Sequence, residues 1–194
     1  MKALVLRDIT CTFGIYTAVD RATLELGGGE FVAIVGPTGC GKSTLLNVAA
    51  GLLHASAGQV TVFGAPLKGI NRRAGYMFQQ DALLPWLTAR GNVALGLELR
   101  GTAKREAAER ADQWLARVGL TGAGDRYPHQ LSGGMKKRAA LAQVLVLGPE
   151  ILLMDEPFSA LDIQTRQLME NELLDIWSAD RKSVFFVKIG RAHV

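Results

Sequence analysis

Eight consecutive residues, Gly36-Pro37-Thr38-Gly39-Cys40-Gly41-Lys42-Ser43, carry the types needed to grip a polyphosphate. Glycines let the backbone curl until successive N–H groups converge on phosphate oxygens. A helix opening at Lys42 would add the positive end of its dipole. The Lys42 ammonium can reach the terminal phosphates, and the Ser43 hydroxyl can ligate magnesium; Thr44 follows in the same first turn. The pattern G-x-x-x-x-G-K-[ST] has meaning only after a strand and before a helix, and the apolar run Phe31–Val35 upstream and the helical run from Lys42 meet that condition. A nucleotide with Mg2+ is the expected ligand pair; small-molecule kinases, GTPases and helicases share this loop.

A second chemical group stands at Ile151-Leu152-Leu153-Met154-Asp155-Glu156, an apolar strand ending in two acids. Asp155 suits the magnesium shell. Glu156, placed on the opposite side by strand alternation, suits a general base for an attacking water. A third group is Leu131-Ser132-Gly133-Gly134-Met135-Lys136-Lys137-Arg138. Ser132 is a natural N-cap, and the two glycines open a second helix start to an anion. One nucleotide does not need two such helix starts, so the second is expected to serve a triphosphate held by another subunit.

The elements that must position these groups are read from pattern. Strands are expected at Leu4–Ile9, Ala22–Leu26, Phe31–Val35, Gln59–Val62, Gly75–Phe78, Ile151–Met154 and Val184–Val187. The unbroken apolar run Phe31–Val35 predicts a central strand buried on both faces. Helices are expected over Lys42–Ala50, Lys104–Val118, Gly134–Leu147 and Gln164–Trp177. Alternation of the two predicts an α/β fold with a largely parallel sheet. Residues 80–138 read as a helical insertion.

The chain has 194 residues, 48% hydrophobic and 21% charged, which bounds it to one globular domain. Its net charge of +4 comes without any basic run, so no nucleic-acid partner is expected. Two cysteines, Cys11 and Cys40, are too few for a disulfide framework and read as reduced thiols. No apolar stretch is long enough to span a bilayer. A membrane role would have to come through a partner.

On these motifs the sequence resembles the ATP-binding-cassette (ABC) family of transporter ATPases over residues 1–187. The resemblance implies a P-loop fold with a helical signature subdomain, over about 80–138, and a head-to-tail homodimer. In it Ser132, Gly133 and Gly134 of one subunit close over the partner's ATP. It implies that Gln79 links magnesium to a transmembrane permease and takes part in catalysis with Lys42 and Glu156. Asp162, in Ser159-Ala160-Leu161-Asp162, would span the dimer interface. Phe13 would stack on adenine, with Tyr16 as the fallback. The run Asp81-Ala82-Leu83-Leu84-Pro85-Trp86-Leu87-Thr88 is similar to bacterial importers of nitrate, sulfonate, taurine and related small anions, with Leu83-Leu84-Pro85-Trp86 in the surface that receives the permease. A solute-binding protein would be an indirect partner, and the expected location is the cytoplasmic face of the bacterial inner membrane.

The pattern departs in three places. Lys137 and Gln143 stand where the family more often has Gln and Arg, and the change at Lys137 is expected to be tolerated. Ile189 occupies the place of the family's switch histidine, and His193 falls too late to replace it. Residues 188–194 are expected to be a non-native tail, because Ile189 to Val194 translate a common sequencing-adapter run, joined to a truncated gene. A soluble non-transport ABC ATPase, or a fragment that binds ATP but hydrolyses it poorly, are the alternative readings.

Overall fold

The fold is taken from a computed structural model that describes residues 1–180 and 182–189. The chain divides into two compact units. The first holds Met1–Tyr76, Glu150–Glu156 and the strand β8 (Ser183–Ile189); the second holds Met77–Pro149 and Pro157–Ala179.

The first unit opens with a hairpin of β1 (Lys2–Phe13) and β2 (Tyr16–Gly27), turned by Gly14 at φ +59°. In β1 the buried set changes phase, from Leu4 and Leu6 to Ile9 and Cys11. A register shift between Leu6 and Ile9 accounts for it, with Asp8 at φ +51° absorbing the extra residue of a bulge. The other edge of β1 pairs antiparallel with β4 (Ala57–Val62), which continues into β5 (Ala65–Pro66), giving the order β2-β1-β4-β5.

A second sheet contains β3 (Phe31–Gly36), β6 (Ala74–Met77) and β7 (Ile151–Asp155) in the order β3-β8-β7-β6. Here β8 runs parallel to both β3 and β7. The expectation of one largely parallel sheet is therefore corrected: half of the strands form a separate antiparallel sheet. Strand β3 is corrected too. Among the described residues it pairs only with β8, at the edge of its sheet, and Val35 is 61% exposed. An unbroken apolar run marks a strand, but it does not say which strands flank it.

Helix α1 (Lys42–Ala49) buries Leu45, Leu46 and Val48 in a core with Leu4, Leu6, Ile9, Leu26, Ile151, Leu153 and Phe185. Strand β7, buried at all five positions, carries its terminal acid into that unit without any polar interruption before it.

The second unit, among the described residues, is built from helices α2 (Ala89–Leu99), α3 (Lys104–Arg117), α4 (Gly133–Leu145) and α5 (Ile163–Asp180), with a short 3-10 turn at Pro128–Gln130. Helix α2 packs on α3 and α4. Its start is fixed by Thr88, whose hydroxyl accepts from the Gly91 N–H at 3.1 Å.

Candidate functional site

In the parallel sheet, β8 lies between β3 and β7, so the loop after β3 and the acids ending β7 leave from the same carboxyl edge. Ligands of open parallel sheets collect at such edges. Residues Gly36 to Gly41 leave β3 and enter α1 with Gly39 at φ +84° and Gly41 at φ +89°. A Cβ at Gly41 would stand 2.4 Å from the Ala18 carbonyl oxygen of β2, so no side chain fits there. A Cβ at Gly39 would meet nothing within 4 Å, which leaves its face of the loop open to an approaching group. Pro37, Thr38, Cys40 and Ser43 are exposed and Thr44 is half-buried.

The Lys42 side chain is buried beneath that loop. Its ammonium donates to the Pro37 carbonyl at 2.6 Å and the Gly36 carbonyl at 3.0 Å, and lies 4.0 Å from Glu156 Oε1. The Ser43 hydroxyl donates to Asp155 Oδ1 at 2.9 Å. Alongside, the Tyr76 hydroxyl donates to Asn47 Oδ1 at 3.0 Å, and burial together with the nearby Asp155 charge pushes its pKa up.

Glu156 departs from the alternation expected of it. It lies just beyond β7, with φ +44°, unusual for a residue bearing a Cβ, and its N–H donates to the Val187 carbonyl at 3.0 Å. The left-handed step reverses the chain, so that Asp155 and Glu156 both turn towards the first turn of α1, one to Ser43 and the other to Lys42. Burial raises the Glu156 carboxyl pKa, the Asp155 charge adds to the rise, and the Lys42 ammonium opposes it. A raised carboxyl beside a cation is suited to proton transfer.

This donor set fits a hard cation that keeps water and phosphate in its shell: one hydroxyl and one carboxylate already in contact. Among the described residues no cluster of three or more His, Cys, Asp and Glu could hold a metal by itself. Phe13 ends β1 opposite Tyr16 and is 50% exposed, so it is not a core residue. It shares a hairpin with Ala18, whose carbonyl Gly41 approaches.

The remaining expected residues belong to the second unit. Ser132 caps α4, its hydroxyl accepting from the Met135 N–H at 3.2 Å, with Gly133 and Gly134 as the first two helical residues. A Cβ at Gly134 would come within 3.1 Å of Thr165 Cγ2, and one at Gly133 would meet Leu161 at 3.9 Å. The helix start therefore lies against the segment 159–165. There Asp162 Oδ1 accepts from the Thr165 N–H at 3.0 Å, and Thr165 holds the Asp162 carboxyl below its ordinary range.

Two residues of this unit, Arg166 and Asn92, carry no signal in the sequence, and a third, Lys137, shows there only as a departure from the family pattern. The Arg166 guanidinium donates to the carbonyls of Phe158, Ser159 and Leu161 at 3.2, 3.0 and 2.9 Å, fixing the turn before α5. Asn92 is fully buried and bonds the backbone of residues 84–88. Lys137 is buried, with its ammonium 2.6 Å from the Gln79 carbonyl and 3.0 Å from Asp81 Oδ1. A single Asn, Lys or Arg in a helical run gives no sign of what it will meet. At position 137 the only signal was the departure from Gln. Residues 190–194 of the expected tail lie outside the described residues, whereas 188 and 189 extend β8.

Comparison with known proteins bears on the whole chain. A family model described as "ABC transporter" matches residues 19–159. The chain is 48% identical over 180 residues to an ATP-binding protein of Brucella abortus, covering 93% of this chain and 69% of that one. It is also 48% identical, over 173 residues, to the taurine import ATP-binding protein of Mesorhizobium japonicum, covering 89% and 67%. Among solved structures, an ATP-binding cassette dimer in a post-hydrolysis state with ADP and Pi superposes with a TM-score of 0.85 at 33% identity, covering 95% of this chain and 87% of that one.

Proposed function

The chain belongs to the ABC transporter family of ATP-binding ATPases, and on that premise we propose that it is the motor subunit of a bacterial importer for a small anionic solute. The observation that carries the reading is the convergence of Lys42, Ser43, Asp155 and Glu156 at one sheet edge. A separate capped helix start stands at Ser132, in the other unit. This second helix start in one chain supports a head-to-tail homodimer in which Ser132, Gly133, Gly134 and Asp162 serve the partner's nucleotide.

In this reading Phe13 stacks on adenine and the loop 36–41, with Lys42, Ser43 and Thr44, binds the phosphates. Ser43 and Asp155, with Gln79, would hold Mg2+, which supplies charge neutralisation at the phosphates when bound. Lys42 exchanges its carbonyl partners for phosphate oxygens. Glu156 accepts a proton from water as the water oxygen bonds the terminal phosphorus and the bond to ADP breaks; the raised carboxyl pKa favours that acceptance. Trp86, 69% exposed, supports docking of a permease on the segment after Gln79. No helix among the described residues is long and apolar enough to cross a membrane, so the proposed place at the cytoplasmic face depends on that permease. A solute-binding protein would deliver the solute. The taurine import relative supports the importer class and a small sulfonate-bearing solute as cargo. Residues 1–187 form the proposed cassette, with about 80–138 its helical part.

Mixing two defective copies tests the shared site. Copies altered at Ser132 and Gly134 are combined with Glu156→Gln copies, and ATP turnover and ATP-dependent dimerisation are read. Random pairing gives one intact composite site in half of the dimers, so about a quarter of the parent's turnover should return. No recovery, with dimers still forming, would refute the shared site.

A further inference from the structure

The segment 78–88 contains neither helix nor strand, yet two buried polar side chains hold its backbone. At one end Asn92 of α2 accepts from the Leu84 N–H at 2.6 Å and donates to the carbonyls of Leu84, Leu87 and Thr88 at 3.1, 3.1 and 3.0 Å. At the other end Lys137 of α4 reaches the Gln79 carbonyl and the Asp81 carboxylate. The Lys137 side chain is 4% exposed and that of Asp81 29%. A lysine ammonium so far from water is tolerated only with matched acceptors, and removing one member of such a pair leaves the other charge stranded.

From this geometry we propose that Lys137 is a positioning residue that ties the turn bearing Gln79 to the helix beginning at Ser132. The inference rests on the proposed roles of Gln79 and Ser132. The chemistry is specific to lysine. Its three N–H donors can satisfy a carbonyl and a carboxylate together. A neutral Gln, the commoner residue here by resemblance, could bond the carbonyl but would leave Asp81 without a counter-charge. Because Lys137 stands in the second turn of α4, any displacement of the Ser132 end of that helix pulls residues 79–81 with it. The exposed Pro85-Trp86 pair is flanked on both sides by the Asn92 contacts, at Leu84 and at Leu87, so the surface proposed to meet the permease is mounted on α2 and joined through residues 81–84 to the Lys137 pin on α4.

The test compares Lys137→Met, Lys137→Arg, Asp81→Asn and the Lys137→Met/Asp81→Asn double variant with the parent chain. Backbone 15N order parameters over 78–84, measured without nucleotide, should fall from about 0.85 towards 0.6 in Lys137→Met, while those of α4 stay rigid. Binding of a fluorescent ATP analogue without magnesium should be unchanged. The Mg2+ concentration that half-saturates the magnesium effect should rise about tenfold, the size of one moderate coupling between sites. Lys137→Arg should recover most of both effects, and the double variant should be no worse than Lys137→Met, since the two residues act as one unit. Asp81→Asn, which keeps the helix intact, supplies the same readings if Lys137→Met does not fold. Unaltered order parameters in both Lys137→Met and Asp81→Asn would overturn the proposal, and so would local loosening with no shift in magnesium dependence. A parent that binds no nucleotide would instead sink the proposed function, and the order parameters alone would then decide whether the pin exists.

Discussion

The Ser43 hydroxyl donates to Asp155 Oδ1 at 2.9 Å, joining the first turn of α1 to the end of β7. In the proposed function both groups would hold Mg2+, which would supply charge neutralisation at the phosphates. Asp155→Asn should retain ATP binding measured in chelator. Its magnesium-dependent turnover should fall at least about a hundredfold, the scale of losing one preorganised charge-stabilising group. Calorimetry with and without magnesium, beside a phosphate-release assay, separates the two effects.

Glu156 makes stability depend on pH in a stated direction. Its folded pKa is raised above the ordinary 4.5 by burial first. Between those two values the folded chain keeps a proton that the unfolded chain has released, so stability falls as pH climbs from 4.5 through the raised pKa. Glu156→Gln should remove that decline, giving a flatter midpoint-versus-pH curve in urea unfolding. The same variant should bind MgATP yet turn over about 10²–10⁴-fold more slowly, as expected for loss of a general base. Unchanged turnover would remove Glu156 from that role.

Phe13 is half exposed at the tip of the β1–β2 hairpin, so its loss should cost little fold stability. Phe13→Ala should weaken ATP binding by about 1–3 kcal/mol, the range for one base–aromatic stack. Tripolyphosphate, which has no base, should bind the variant and the parent alike. Equal losses for both ligands would place the effect elsewhere.

Ile189 stands in register with Gly36, the residue that opens the phosphate loop. If a histidine is wanted there, Ile189→His should raise turnover by about tenfold or more, equivalent to one added transition-state contact of about 1.4 kcal/mol. ATP affinity should stay within about twofold of the parent on the same scale. No gain in single-turnover rate would dismiss the position as the missing group.

What the sequence could reveal was set by how local each determinant is. The phosphate loop and the acids after Met154 were legible because glycine conformation, charge and an apolar strand lie within a few consecutive residues. The cap at Ser132 was legible for the same reason. Strand β3 was placed wrongly because its neighbour, β8, is distant in sequence, and an apolar run does not name its partners. Glu156 was aimed wrongly because strand alternation ends at Asp155, where a left-handed step intervenes. The antiparallel sheet was missed although Gly14 offered a hairpin turn between two of the expected strands. The contacts of Asn92 were unreadable because they are made to backbone atoms of a loop, and carbonyl groups carry no letter of their own; those of Lys137 were unreadable because neither the Gln79 carbonyl nor the distant Asp81 carboxylate is marked by local sequence.

The position of β8 has a consequence for the order of assembly. The polypeptide makes β3 early, β7 much later and β8 last of the four, yet β8 is the strand inserted between the other two. A nascent chain that has emerged only as far as Glu156 already carries the loop, the serine and both acids, but has no strand to join β3 to the β7–β6 pair. Parallel pairing over so long a loop is slow. Until Ser183–Ile189 is available, Lys42, Ser43, Asp155 and Glu156 lack the strand that joins β3 to β7.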